Sequence, residues 1–327
     1  MNPKIYLVGG AVRDKLLGLE PKDLDYVVVG ANFMWMLDRG FKPVGASFPV
    51  YLHPQTGAEY ALARREKKIA PGYQGFEFEF GPDVTIEEDL SRRDLTINSI
   101  AYDYDTETYI DPFNGRQDLK DGIIRHTSDA FAEDPLRVLR VARFAARYQF
   151  LIAPETEELC KKLVNSGELD ALSGERVWGE LEKLLSENRP SIGLRFLSKI
   201  EALHSVKRLA CLVLDPPIDY KSHYDHDIEP DLTMAEKIYF NLNIQGMSKD
   251  QLIEQFKVPT HVVRETMFYD SIYNLLYYNV NGGEDQPEEI VSMFDAYREE
   301  IKRGDLHKIV DLVIKCIKDN DRFSSNG

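Results

Sequence analysis

Cysteine and tryptophan are scarce in this chain of 327 residues, with three of the first and two of the second. The cysteines, Cys160, Cys211 and Cys316, lie far apart and are odd in number. That excludes a disulfide framework and the paired spacing of a zinc site, and it predicts reduced thiols in a cytoplasmic setting. No apolar run reaches the roughly 18 residues that a membrane-spanning helix needs, so a helical span is excluded. The N-terminus enters Lys4-Ile5-Tyr6-Leu7-Val8 at once, with no long apolar segment and no small-residue cleavage site, so no secretory leader is expected. Positive charge is in short supply as well. Lys and Arg total 40 against 55 Asp and Glu, a net charge of −15, which argues against a generic nucleic-acid binder that gains its affinity from phosphate contacts.

The shortage is uneven. Residues 1–150 hold 19 basic against 23 acidic side chains, whereas residues 151–327 hold 21 against 32. The first half also clusters its cations as Arg64-Arg65 with Lys67-Lys68, Arg92-Arg93, and the series Arg137, Arg140, Arg143 and Arg147. A polyanion is therefore expected to meet the first half.

Up to about residue 115 the pattern is mixed. Short β-branched runs predict strands at Ile5–Val8 and Asp25–Val29, with a helix from Val12 to Leu17 between them. Further strands are expected at Val50–Leu52, Glu59–Ala63, Phe76–Phe80, Ile97–Tyr102 and Tyr109–Ile110. Segment 65–75, basic and carrying Pro and Gly, reads as a loop. From about residue 126 helices dominate. One opens at Asp134-Pro135, with the aspartate as cap, and others follow at Pro154–Val164 and Glu175–Glu187. Segment 215–231 reads as a linker, and helical spacing returns near 231–245, 249–279, 286–303 and 305–319.

The strongest chemical signal is Leu7-Val8-Gly9-Gly10-Ala11-Val12-Arg13-Asp14 followed by Asp23-Leu24-Asp25-Tyr26-Val27. A Gly-Gly turn after a strand lets backbone N–H groups approach a phosphate, and a helix start adds its positive dipole end. Two carboxylates two residues apart at a strand entrance point to one face. Such a pair suits magnesium, which takes one or two carboxylates together with substrate phosphates. Taken alone, an Asp-x-Asp is more often a solvated turn; the Gly-Gly turn before it and the apolar strand after it favour chemistry. On the helix after Asp134 the four arginines fall within one arc of about 120°, with no acid among them, and the apolar residues take the other side. An ordinary solvated helix would mix Glu with Arg, so an anion is expected against this face. Arg92-Arg93-Asp94 has the rival reading of a plain ion-pair cluster. Glu59 is either a third carboxylate beside the metals or a rim acid paired with Arg64 or Arg65.

Four further motifs follow in order: Arg92-Arg93-Asp94-Leu95-Thr96-Ile97-Asn98-Ser99; Asp111-Pro112-Phe113-Asn114-Gly115 through Asp118-Leu119; Glu133-Asp134-Pro135-Leu136-Arg137 through Arg143; and Gly174-Glu175-Arg176-Val177-Trp178. With the first, these five resemble the motif series of the class II tRNA nucleotidyltransferases in the polymerase-β-like superfamily, and they cover residues 5–185. The stretch Phe48-Pro49-Val50-Tyr51-Leu52-His53-Pro54 is similar to members from gamma-proteobacteria. The resemblance implies an α+β fold: a polymerase-β-like head with a mixed sheet and helices over 1–125, a helical neck and body over 126–215, and a helical tail over 216–327. It implies addition of C, C and A to the 3′ end of tRNA from CTP and ATP without a nucleic-acid template, with two Mg²⁺ ions held by the catalytic Asp23 and Asp25. Carried over in the same way, Gly10 and Arg13 would contact the nucleotide phosphates, and Arg93, Asp134, Arg137, Arg140 and Arg143 would line the nucleotide pocket. The partners are then CTP, ATP and the tRNA acceptor stem with its 3′ end. No membrane partner is expected, and a monomer is.

Many longer relatives continue into a metal-dependent phosphohydrolase domain. Here no His-Asp follows the apolar run near 200–215, and the His226-Asp227 pair lies in the Pro- and Asp-rich linker, so a short form without that domain is expected. The nearest rival is a poly(A) polymerase, which shares the head motifs but usually carries extra basic sequence. Partial CC- or A-addition is a second rival, against which the loop at 64–80 counts. A catalytically silent tRNA-binding protein is the rival from another class, and the intact Asp23/Asp25 pair speaks against it.

Overall fold

The structure, a computed structural model, describes residues 2–44, 50–68, 76–205, 249–264 and 266–267. Its contacts divide the chain into two compact units, Met1–Leu169 and Asp170–Gly327. The division falls inside the stretch 126–215 that the sequence pattern groups as one neck and body.

The first unit is built on a seven-stranded mixed sheet. Its strands are β1 (Lys4–Val8), β2 (Asp25–Val29), β3 (Lys42–Val44), β4 (Val50–Leu52), β5 (Glu59–Leu62), β8 (Ala101–Asp103) and β9 (Thr108–Ile110), in the order β3-β4-β5-β2-β1-β8-β9. Within this sheet, among the described residues, only the β2–β5 pair is parallel. Two-residue alternation sends successive side chains to opposite faces, and both faces are covered. Tyr6, Val8, Val27 and Ala101 pack with Ile86 and Leu90 of helix α3 (Ile86–Ser91). Val28, Tyr51 and Leu62 pack with Met36 of helix α2 (Phe33–Asp38). Asp25 shares the face of Val27, two residues away, and therefore the side on which α3 lies.

Helix α1 (Gly10–Leu16) follows β1 directly and begins two residues before the expected start at Val12. Gly9 absorbs the whole turn with φ +66° and ψ −131°, a conformation open in practice to glycine alone, so Gly10 is already helical. The expected strand Ile97–Tyr102 is instead a 3₁₀ turn (Thr96–Asn98) followed by β8. Polar side chains divert this backbone from ladder pairing: Asp94 accepts from Leu95 N–H, and the Ser99 hydroxyl donates to the Leu95 carbonyl.

The segment read as a loop from residue 65 also differs. Strand β6 (Arg64–Lys68) pairs antiparallel with β7 (Phe76–Phe80), and residues 69–75 between them lie outside the described residues. On this basic strand Arg65 is neutralised from elsewhere, by Glu79, Asp83 and Glu88. Propensity could not supply that compensation, which depends on partners up to 23 positions away.

Beyond β9, helix α4 (Gly115–Asp121) leads to β10 (Ile123–Ile124), which pairs with β11 (Leu151–Ile152) on the far side of helix α5 (Arg137–Tyr148). Helix α5 starts at Arg137, three residues after the expected cap. Asp134 acts earlier, its carboxylate accepting from Leu136 N–H and its carbonyl from Arg137 N–H. Val138, Leu139, Val141, Ala142, Ala145 and Ala146 of α5 are all buried, as the spacing predicts. Helix α6 (Pro154–Asn165) is the last α-helix described in this unit. In the second unit, α7 (Gly174–Leu185), α8 (Pro190–Lys199), α9 (Ala202–Ser205) and α10 (Lys249–Phe256) are described. The expected helices at 231–245, 286–303 and 305–319, the linker at 215–231 and the His226-Asp227 pair lie outside the described residues.

Candidate active site

The register of one strand pair assembles the centre. Val8 and Asp25 are direct partners across β1 and β2, so the last residue before the Gly-Gly turn lies beside the second aspartate of the pair. Asp25 in turn pairs with Glu59 across the parallel β2–β5 edge. Asp23 stands on the exposed approach to β2 and Asp25 is half-buried. Burial raises the Asp25 carboxyl above the ordinary range, the nearby Arg93 lowers it, and Asp23 raises it again. Within the described residues no hydrogen bond or ion pair satisfies either carboxylate. A carboxylate penalised by burial and by a neighbouring acid in this way belongs to the donor set that a hard divalent cation neutralises. Among the described residues Glu59 belongs to no group of three His, Cys, Asp or Glu side chains that could hold a metal ion. Nor is it paired with Arg65, which is held by other acids.

Arg93 arrives from the end of α3, on the same side of the sheet as Asp25. A Cβ built on Gly9 would stand 2.9 Å from Arg93 Nη1, so the guanidinium packs against the turn itself. Its anchor is Asp89, which is fully buried and binds both Arg92 (2.8 Å) and Arg93 (3.1 Å). Burial acts to raise the Asp89 carboxyl, yet the two guanidiniums bring it below the usual range. The ion-pair reading of Arg92-Arg93 and the site reading are therefore both visible in one arrangement: a buried carboxylate aims an arginine at the Gly-Gly turn.

The arginines of α5 do not face a side empty of acid. Arg140 grips Asp94 Oδ2 through Nε (2.7 Å) and Nη2 (2.6 Å). Arg137 donates to the carbonyls of Ala130 and Arg92, the latter at 2.8 Å. Arg143, largely buried, lies over the Phe144 ring at 4.3 Å, and Arg147 approaches Asp14 at 4.0 Å. The acids that the helix itself lacks come from other elements. Arg13, expected at the phosphates, is 5% exposed and braced by Asp14 and Asn98, with its guanidinium packed against Gly10.

Sequence reasoning assigns no role to Asp14, Asp89, Asn98 or Tyr148, and reads Asp94 only as part of an ion-pair cluster. Their signal, polar residues in otherwise buried neighbourhoods, exists only once the elements are packed. Asp94 offers a direct check. Burial would raise its carboxyl, but Arg140, Asn98 and Arg137 together hold it at about 2. A group depressed on folding adds stability above its unfolded pKa and loses it as pH falls through the folded value. The contribution is about 2 kcal/mol at neutral pH, fading between about pH 5 and pH 2. Urea melts of Asp94→Asn at pH 7 and pH 2.5 should differ clearly from wild type at the first and much less at the second. A constant difference across that window would show that charge at Asp94 is not the source.

Residues 5–125 match the family described as poly A polymerase head domain, and residues 149–210 the one described as a probable RNA- and SrmB-binding site of polymerase A. Together the two take in more than half of the chain. The multifunctional CCA protein of Chromobacterium violaceum is 60% identical over 273 residues, covering 80% of this chain and 66% of that protein. The CCA-adding enzyme of Pseudomonas putida is 58% identical over 203 residues, covering 61% of this chain and 55% of that one. The chain thus spans between about half and two thirds of the length of the curated relatives it matches. A crystal structure of a tRNA nucleotidyltransferase complexed with a primer tRNA and an incoming ATP analogue superposes with a TM-score of 0.66 at 25% identity, covering 99% of this chain and 95% of that one.

Proposed function

Because the chain belongs to the family of nucleotidyltransferases that share the poly A polymerase head, CCA-adding enzymes among them, we propose that it adds C, C and A to the 3′ end of tRNA from CTP and ATP. The observation that carries this reading is the Val8–Asp25 register, which puts the second aspartate beside the residue that precedes the Gly-Gly turn, against which Arg93 packs. The names of its relatives favour CCA addition over poly(A) synthesis. The residues 1–125 act as the head, 126–215 as the nucleotide-reading neck and body, and 216–327 as the tail.

Two Mg²⁺ ions bound by Asp23 and Asp25 would lower the pKa of the attacking tRNA hydroxyl and neutralise charge on the α-phosphate and the departing pyrophosphate. The remaining work falls to the chain itself. Gly10 presents its backbone N–H at the uncapped start of α1, and the two Arg13 N–H groups not engaged by Asp14 and Asn98 lie behind the same turn. Arg93, aimed by Asp89, places a fixed positive charge where phosphate charge develops, at no cost of reorganisation. Arg140 and Arg143 line the side of α5.

Choice of base rests on Asp134 and Arg137. Cytosine and adenine both present an amino donor beside a ring-nitrogen acceptor, and uracil and guanine present the reverse. A carboxylate accepts and a guanidinium donates, so this pair matches the first two bases and opposes the others. The two carbonyls that hold Arg137 occupy two of its five N–H groups and fix its plane, which leaves an edge for a base. The test is incubation with truncated tRNA and each nucleotide separately, read at single-nucleotide resolution. Wild type should add two C and then A, and ATP alone extending the tRNA into a long tract would favour poly(A) synthesis. Asp134→Ser keeps a capping oxygen yet should erode selection against UTP and GTP, as should Arg137→Ala. Each lost match is worth about 1–3 kcal/mol, or roughly ten- to hundredfold. Unchanged preference in both folded variants would place base choice elsewhere.

A further inference from the structure

Four side chains near the centre have no part in the scheme above: Asp14, Asn98, Asp94 and Tyr148. They form a closed circuit that leaves α5 at one end and returns to it one turn from the other. The Tyr148 hydroxyl, at the C-terminal end of α5, donates to Asp14 Oδ1 at 3.1 Å. The same oxygen accepts from Arg13 Nε at 2.9 Å and pairs with Nη2 at 2.8 Å. Arg13 Nη1 donates to Asn98 Oδ1 at 2.5 Å, and Asn98 Nδ2 donates to Asp94 Oδ1 at 3.0 Å. Asp94 Oδ2 then meets Arg140 at 2.6 Å, back on α5. The rings of Phe144 and Tyr148 flank the Arg13 guanidinium at 5.2 and 5.1 Å. Arg13, Asp14, Asn98 and Asp94 are each under a tenth exposed.

The chemistry of the circuit admits one arrangement. Arg13 only donates and ionised Asp94 only accepts, so whatever joins them must accept from the first and donate to the second. An amide does both, and only one of the two flips of Asn98 satisfies both neighbours. A carboxylate of the same shape would set acceptor against acceptor at Asp94. The guanidinium so held also packs on Gly10, whose Cβ position is 3.3 Å from Arg13 Nη2. The Gly-Gly turn is thereby buttressed from the helix that carries Arg137 and Arg140.

We propose that Asn98 and Tyr148 are positioning residues which, by clamping Arg13 between α1 and α5, set the distance from the phosphate-facing Gly9-Gly10 turn to the base-reading helix. The inference rests on the reading of the site as a nucleotide site. The circuit gives base readout and phosphate placement a common frame, so a nucleotide that satisfies α5 has its phosphates delivered to the turn beside Asp25. Loosening it affects nucleotide binding and discrimination while the fold persists through the apolar side of α5.

The test is a double-mutant cycle read by CTP affinity. Tyr148→Phe keeps the ring against Arg13 and removes one hydroxyl; Asn98→Asp keeps shape but replaces the hydrogen bond to Asp94 with two facing acceptors. Each folded variant should weaken CTP binding, measured by calorimetry with Mg²⁺, by about tenfold. The double variant should weaken it by much less than the product, because both act through Arg13 although the two side chains are joined only by way of it. In tRNA extension the KM for CTP should rise more than kcat falls. Phe144→Leu, which loosens the ring packing and spares every circuit hydrogen bond, guards against a variant that fails to fold and should give a smaller loss. Wild-type affinity in the folded single variants, or strictly multiplicative losses in the pair, would overturn the proposal. Wild type that binds CTP yet extends no tRNA would overturn the assigned reaction and leave the clamp standing; wild type that binds no nucleotide would remove both.

Discussion

Alanine at Asp25 is expected to abolish nucleotide incorporation for practical purposes while the protein remains folded and still binds tRNA. Asp25 sits at the Val8 register position beside the Gly-Gly turn, and its carboxyl is already disfavoured by burial and by Asp23. Losing a side chain that holds a cation at the reacting phosphate removes stabilisation present in the transition state and absent from tRNA binding. A loss of about 4 kcal/mol, or roughly three orders of magnitude in rate, is a minimum expectation. Asp23→Ala should behave alike. Because the apo fold gains from a protonated or absent carboxylate at position 25, Asp25→Ala should not lower thermal stability measured without Mg²⁺. Single-turnover extension of truncated tRNA, together with a tRNA gel shift, separates the outcomes. If turnover and tRNA affinity fell in proportion in a folded variant, the aspartates would belong to RNA binding and not to chemistry.

The second large effect concerns a residue with no chemistry. Gly115 opens α4 directly against the 3₁₀ turn, and a Cβ there would overlap the Thr96 carbonyl, lying 2.7 Å from its carbon and 2.9 Å from Ile100 Cγ1. Backbone cannot rotate aside as a flexible side chain does. Thr96 is also pinned from its other side, its hydroxyl bound to Asp118 at 2.6 Å and its N–H to the Arg125 carbonyl. Asp118 is itself bound to Arg125. Gly115→Ala should therefore cost about 3 kcal/mol or more, at the upper end of overpacking penalties. For a unit of this size that is a fall in Tm on the order of 10 °C. The strain is transmitted to Asn98, two residues past Thr96, so activity should decline even below the new melting temperature. A Gly115→Ala variant melting with wild type would mean that α4 moves away at little cost.

Much of this site is legible in the sequence itself. The Gly-Gly turn, the Asp23/Asp25 pair and the strand that follows are local, and local patterns are read directly: turn chemistry from glycine, facing carboxylates from two-residue alternation, the buried side of α5 from its spacing. The places where pattern fails share a cause. Helix α5 starts later than its cap signal implies, because Asp134 caps the turn leading into the helix and not the helix proper. The segment Ile97–Tyr102 opens as a 3₁₀ turn and not a strand because Asp94 and Ser99 bind nearby backbone. The basic stretch at Arg64–Lys68 reads as a loop because the acids that steady Arg65 are Glu79, Asp83 and Glu88, well outside it.

The arginine face of α5 is the instructive case. The sequence places four cations on one arc with no acid among them, and an external anion is the natural expectation. Packing brings Asp94 to Arg140 across 46 positions and Tyr148 to Asp14 across 134. A periodicity argument sees one element at a time and cannot count charge contributed by another. By itself the sequence determined the class of chemistry: which residues bear carboxylates and cations, which turn needs glycine, and which face of each element is apolar. Only the tertiary structure decided which carboxylate stands beside the turn, which arginine is aimed by Asp89 and which is locked inward by Asn98, since those depend on strand register and on distances between segments that no local propensity encodes.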